Sequence, residues 1–198
     1  MGQLLLAFAA AEEIHDTEFG LRVEAPVLDT PSIVETARGE GEGEQQLHFG
    51  WEATFSYALT SEIYLTGLVG ARRSFAAFDE VDGSFPFLIT RQQRLMLGLK
   101  YSFTSPPTFP YLSLHAGFVG SWWRVEVYGL DGDRVDWGPT LNAGVGLDHF
   151  LNPRWAVNVE ARPWFERAEV EYITLDPWAF ESPPFRAGFS VLVGIIRR

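Results

Sequence analysis

The chain of 198 residues contains no cysteine, which removes disulfide frameworks and thiolate metal sites and suits an oxidising envelope. It also lacks any run of about 18 apolar residues, so no transmembrane helix is read from it, although hydrophobic residues make up 46% of the sequence. Basic charge is scarce: 15 lysines and arginines stand against 26 acidic residues, a net charge of −11. That balance argues against nucleic acid as a partner and against adhesion to anionic lipid by charge alone. Catalytic motifs are missing as well. His48, His115 and His149 share no spacing suited to zinc, and Asp131, Gly132, Asp133 and Asp136 lack the remaining ligands of a calcium loop. The expectation is therefore a protein that is not an enzyme and has no cofactor and no metal.

What is present is alternation. In residues 47–59, Leu47, Phe49, Trp51, Ala53, Phe55, Tyr57 and Leu59 form one phase, and His48, Gly50, Glu52, Thr54, Ser56 and Ala58 the other. Successive side chains of a strand point to opposite faces, so this segment has one apolar surface and one small or polar surface. It is longer than the about 9–11 residues with which a tilted strand crosses a bilayer. The pattern returns at residues 94–103, 112–122, 140–148, 155–162 and 185–195. Weaker versions occupy 19–25 and 63–72, the latter blurred by Tyr64 and Leu68. Eight strands result.

A water-soluble barrel of the lipocalin kind places large apolar residues inside and charge outside. Here the polar phase combines glycines with Arg22, Glu24, Glu52, Arg72, Arg94, Lys100, Asp148, Glu160, Arg162 and Arg186, while the other phase is bulky and apolar. A closed barrel in lipid needs that inverted arrangement, because its outer wall meets hydrocarbon and its lumen is narrow. The expected fold is thus all-β, an eight-stranded antiparallel up-and-down transmembrane β-barrel. Its lumen network comprises Glu52, Arg72, Arg94, Lys100, Asp148, Glu160, Arg162 and Arg186. Pairing across the turn after Leu59 sets Glu52 opposite Gly70 and diagonal to Arg72, an expected salt bridge.

Connection lengths orient the barrel. Links at residues 60–62, 104–110 and 152–154 are short, whereas 26–46, 74–91, 124–137 and 167–184 are long. Short periplasmic turns and long extracellular loops are the habit of bacterial barrels, which places both termini in the periplasm and the chain in the bacterial outer membrane. Tyr57, Tyr101, Phe103 and Trp155 near short turns, and Phe49, Trp122, Phe165 and Phe185 near long links, read as two interfacial girdles. Residues 1–11 carry an apolar run ending in alanines and read as a truncated signal-peptide remnant, leaving 12–198 as one barrel domain with four long extracellular loops. The first long link, with Glu40, Glu42 and Glu44 between glycines, reads as solvated. The fourth holds Trp178 and Phe180, which either bind a partner or belong to a loop that folds over the barrel mouth or extends the sheet above the membrane.

The stretch GVGLDHFLNPRWAVNVEAR at residues 144–162 resembles the penultimate hairpin of the small eight-stranded outer-membrane barrels, the group with OmpA-like, OmpX-like and OmpW-like members. In that resemblance Asn152 and Pro153 form a periplasmic turn. Members of the group commonly end on an aromatic residue, whereas this chain ends Gly194-Ile195-Ile196-Arg197-Arg198. The resemblance and the pattern together imply a monomeric envelope protein of the Gram-negative outer membrane, non-enzymatic, with outer-membrane lipid around it. A surface or extracellular protein would be met through the long loops. The alternatives are a lipid-modifying barrel enzyme and a narrow channel or porter.

Overall fold

The computed structural model describes residues 17–29, 33–36, 39–42, 44–77, 87–103, 106–127, 130–167, 173–175, 178–181 and 185–198. The residues read as a signal remnant lie outside them. Twelve strands follow in chain order: β1 (Thr17–Asp29), β2 (Ile33–Thr36), β3 (Gly39–Glu42), β4 (Glu44–Ala58), β5 (Ile63–Ala77), β6 (Phe87–Ser102), β7 (Thr108–Val127), β8 (Leu130–Asn152), β9 (Trp155–Arg167), β10 (Ile173–Leu175), β11 (Trp178–Glu181) and β12 (Phe185–Arg197). Eight of them close into a barrel in the order β1-β12-β9-β8-β7-β6-β5-β4, and every neighbouring pair is antiparallel. All eight strands read from alternation are present, each longer than its sequence span, although β4 and β6 stop one residue short of it at Ala58 and Ser102. Closure runs from Phe19 opposite Arg197 to Asp29 opposite Gly188, with a register shift between Pro26 and Leu28.

Side-chain chemistry shapes the short turns. Asn152 Oδ1 accepts hydrogen bonds from the backbone N–H groups of Arg154 and Trp155 at 2.9 and 3.1 Å. Thr60 Oγ1 does the same for Glu62 and Ile63 at 3.2 and 3.0 Å. Each is a side-chain mimic of a backbone turn. The long link expected at 124–137 is different, because β7 and β8 stay paired up to Val127 opposite Leu130. Asp131, Gly132 and Asp133 are therefore strand residues, opposite Glu126, Val125 and Arg124. The β-branched and aromatic residues Trp122, Trp123, Val125 and Val127 favour continued pairing over a loop.

The first and fourth long links also hold structure. β10, β11, β2 and β3 form a four-stranded antiparallel sheet of their own. Closure explains it: β1 and β12 are barrel neighbours, so the link that leaves β1 and the link that enters β12 share one arc of the rim. Of the acidic stretch read as solvated, Glu40 and Glu42 lie in edge strand β3 and Glu44 opens β4; charged residues on an edge discourage pairing with another chain.

Phase assignment divides two environments. Among the described residues, thirty large apolar side chains stand on the outer wall, with Leu97 at 65% exposure and Phe118 at 63%. Trp51, Leu97, Phe118, Val145 and Val159 all point outward, while Glu52, Lys100, His115 and Glu160 are buried. Tyr64 and Leu68, which blurred the β5 pattern, point inward and fill the lumen together with Met96, Val119, Trp123 and Trp164. An eight-stranded barrel is just wide enough for side chains to fill, so its interior needs bulk as well as charge.

Candidate functional site

Arg22 lies directly opposite Glu52 in the β1–β4 ladder. Its guanidinium bonds Glu52 through Nη2 and Glu160 through Nη1. Arg162 bonds the same two acids, with Nε 2.8 Å from Glu160 Oε1 and Nη1 2.5 Å from Glu52 Oε2. Two cations and two anions from β1, β4 and β9 thus form a ring of alternating charge in the middle of the lumen. Tyr111 and Ser113 donate to Glu160 at 2.7 and 3.0 Å and complete its shell.

Toward the short turns, Lys100 Nζ lies 2.9 Å from Glu18 Oε2 and 2.6 Å from Asp148 Oδ2. The rings of Tyr111 and Tyr64 lie 4.9 and 5.3 Å from the same ammonium. Asn158 donates to Asp148 and to Tyr111 at 2.6 and 2.8 Å. Arg198 Nε closes this layer at 2.6 Å from Glu18 Oε1. Toward the long links, Arg94 bonds Glu24. Arg72 donates to Gln92 at 2.7 Å and to Glu166 Oε2 at 3.1 Å, with Trp164 stacked 4.3 Å from its guanidinium carbon. Arg186 lies over Trp123 at 5.4 Å.

The structure places Glu52, Arg72, Arg94, Lys100, Asp148, Glu160, Arg162 and Arg186 inside the barrel. Arg22 and Glu24 are there too. The expected Glu52–Arg72 pair does not form. Glu52 is held by Arg22 and Arg162, which reach it along the opposed rung and across the lumen, and Arg72 extends the other way to Glu166 and Glu24. Glu18 and Glu166 were missed by sequence reasoning, although Glu18 shares the phase of Arg22, and Glu166 that of Arg162. Extending β1 and β9 by a few residues finds both. With them, the buried charges among the described residues are six acids (Glu18, Glu24, Glu52, Asp148, Glu160, Glu166) and six bases (Arg22, Arg72, Arg94, Lys100, Arg162, Arg186). Buried charge is costly unless compensated, and the two signs match.

Little room is left. The cavity between Glu18, Arg22, Lys100, Tyr111, His115 and Glu160 has a volume of about 20 Å³, enough for one water. His115 borders it, with Nδ1 3.0 Å from Asn142 Oδ1 and Nε2 without a protein partner. Two glycines make the packing possible. A Cβ on Gly144 would stand 2.0 Å from Glu160 Oε1, and one on Gly146 would stand 2.3 Å from the Tyr111 ring. Outside the lumen, His149 faces outward beside a turn, its Nδ1 2.8 Å from Thr108 Oγ1. The side chain of His48 lies outside the described residues.

The second feature is the sheet beyond the barrel. Trp178 and Phe180 are in β11, opposite Thr36 and Val34 of β2; their side chains lie outside the described residues. The backbone pairing alone establishes that the two links read as separate loops are one element.

No protein-family model and no curated protein sequence matches the chain. Solved structures do. The outer membrane protease OmpT from Escherichia coli is similar over 94% of this chain and 99% of its own, at 8% identity and a TM-score of 0.55. The outer membrane protein AlkL covers 92% of this chain and 89% of its own, at 17% identity and 0.53. Ail, the attachment invasion locus protein of Yersinia pestis, covers 92% and 98%, at 13% identity and 0.51. At such identities the likeness establishes the fold: this chain has the architecture of the small outer-membrane β-barrels.

Proposed function

We propose that the protein is a non-enzymatic barrel of the bacterial outer membrane, its lumen a structural plug and its recognition carried by the sheet joined from its first and fourth long links. The observation that carries this reading is the filled lumen, in which six acids and six bases are buried beside a cavity of about 20 Å³. The carboxylates there are held by arginines and Lys100, which supports a structural rather than an acid–base role. In the same reading the long-link end faces outward and both termini face the periplasm. The apolar wall supports residence in lipid. Surface elements on a rigid scaffold are where specificity resides in such architectures, so Trp178 and Phe180 are the proposed contacts for an extracellular or surface partner.

Single-channel recording in planar bilayers tests the plug. The refolded chain should give no stable open level at neutral pH and moderate salt. A persistent resting conductance would overturn the plug and favour a channel or porter. Hydrolysis of a phospholipid substrate by the purified barrel would instead favour the lipid-modifying enzyme.

A further inference from the structure

Near the long-link end the outer wall departs from its apolar pattern. Reading one rung across the sheet from β4 to β8, Phe49 is opposite Arg73, Arg73 opposite Arg91, Arg91 opposite Trp122, and Trp122 opposite Val135. Arg73 and Arg91 are exposed and occupy the outward phase. Like charges directly opposed on neighbouring strands repel, and among the described residues no carboxylate pairs with either. Arg124, also exposed, adds a third cation one rung higher, opposite Ile89. The rung below is Trp51, Ala71, Gln93, Gly120 and Trp137. Its middle residues are small or slender and its ends are indoles, so the wall is hollowed there. A cleft of about 740 Å³ results, bordered by Arg73, Arg91, Arg124, Phe49, Trp51 and Trp122.

Height makes the arrangement specific. Arg73 is ten residues along β5 from Ile63. Steps of about 3.3 Å on a strand tilted by about 40° raise it about 25 Å above the short turn, the height of an outer-membrane apolar band. The arginines therefore sit where hydrocarbon gives way to headgroups. Below them Val69, Leu95 and Phe118 continue the apolar wall.

We propose that this cleft binds the phosphate of a membrane lipid, Arg73 and Arg91 sharing the anion and the wall beneath them receiving its acyl chains. A guanidinium matches phosphate through paired N–H donors, and an anion between two such groups turns their repulsion into attraction. Charge complementarity selects the phosphate, and the apolar floor and indole walls select a lipid over a free anion. The inference deepens the membrane reading above. A detergent assay separates the two, because lipid retention does not depend on whether the lumen conducts.

The experiment is native mass spectrometry of the refolded full chain in a neutral detergent, titrated with dioleoyl phosphatidic acid or with dioleoylglycerol, which carries the same chains without phosphate. One phosphatidic acid should be retained about tenfold more tightly than dioleoylglycerol. Arg73→Gln with Arg91→Gln should abolish that preference. Arg154→Gln with Arg197→Gln, which removes two exposed arginines from the short-turn end, should preserve it. Heat-modifiable migration verifies that each barrel is closed, and Arg91→Gln alone serves if the double variant does not close. Equal retention of the two lipids, an unchanged preference in the Arg73/Arg91 variants, or equal loss in the Arg154/Arg197 variant overturns the proposal. Displacement of the lipid by millimolar inorganic phosphate overturns it in favour of a free-anion site.

Discussion

Glu52 carries the central ring, because both Arg22 and Arg162 depend on it and all three are buried. Replacing it by Ala leaves two guanidiniums facing Glu160 alone. Removing one partner of a buried ionic group costs about 3–5 kcal/mol, so Glu52→Ala should lower the urea midpoint of the refolded barrel by a corresponding amount. An unchanged midpoint would show that water enters the lumen and screens the pair. Glycines give a second test at this scale. An ideal Cβ on Gly98 stands 2.0 Å from the Leu114 carbonyl oxygen, whereas the nearest atom to one on Gly67 is 3.7 Å away. Relief at Gly98 requires movement of the β6–β7 ladder. Gly98→Ala should therefore destabilise by about 1–3 kcal/mol, and Gly67→Ala should be neutral or slightly stabilising. Equal effects in equilibrium unfolding would remove the close-approach argument.

Strand pairing decides what the long links do. β2 and β11 lie more than a hundred residues apart in the chain, yet Ile33 to Thr36 pairs with Glu181 to Trp178. The small sheet owes its existence to the barrel, while the barrel's own ladder is complete without it. Deletion of residues 173–181 should accordingly leave a closed, heat-modifiable barrel and speed amide exchange at the β2 amides that point toward β11, since β2 keeps β3 but loses its other neighbour. Loss of heat-modifiable migration would make the sheet part of the folding unit rather than an appendage. Slow exchange preserved at β2 would place its protection elsewhere. Any partner found for the intact chain should fail to bind this variant if Trp178 and Phe180 are its contacts.

The whole molecule is a closed sheet between two solvents. Spin labels at Leu97, Phe118, Val145 and Val159 in bilayers should relax strongly with lipid-soluble oxygen. A label at Ser113, on the inward phase, should not. Equal oxygen response at both phases would refute the assignment of wall and lumen. At this scale the balance of charge also matters: the six acids and six bases of the lumen neutralise one another, so the net charge of −11 is carried by the rest of the chain.

Alternation of period two determined the strands and their two faces, because lipid and lumen impose opposite chemistry at every second residue and each strand records that demand locally. It also determined the short turns, where Thr60, Asn152 and Pro153 act within a few residues of themselves. Which charge meets which was decided only by closure: Arg22 reaches Glu160, 138 residues away, because closure sets β1 and β9 on either side of β12 with both side chains turned into a narrow lumen. Tyr64 and Leu68 looked like faults in a pattern until the lumen showed a need for bulk. The paired β7–β8 extension, the sheet joining the first and fourth links, and the meeting of Arg73 with Arg91 on the wall belong to the same class. Each depends on register between strands, which side-chain period leaves open and which the closed hydrogen-bond ladder sets.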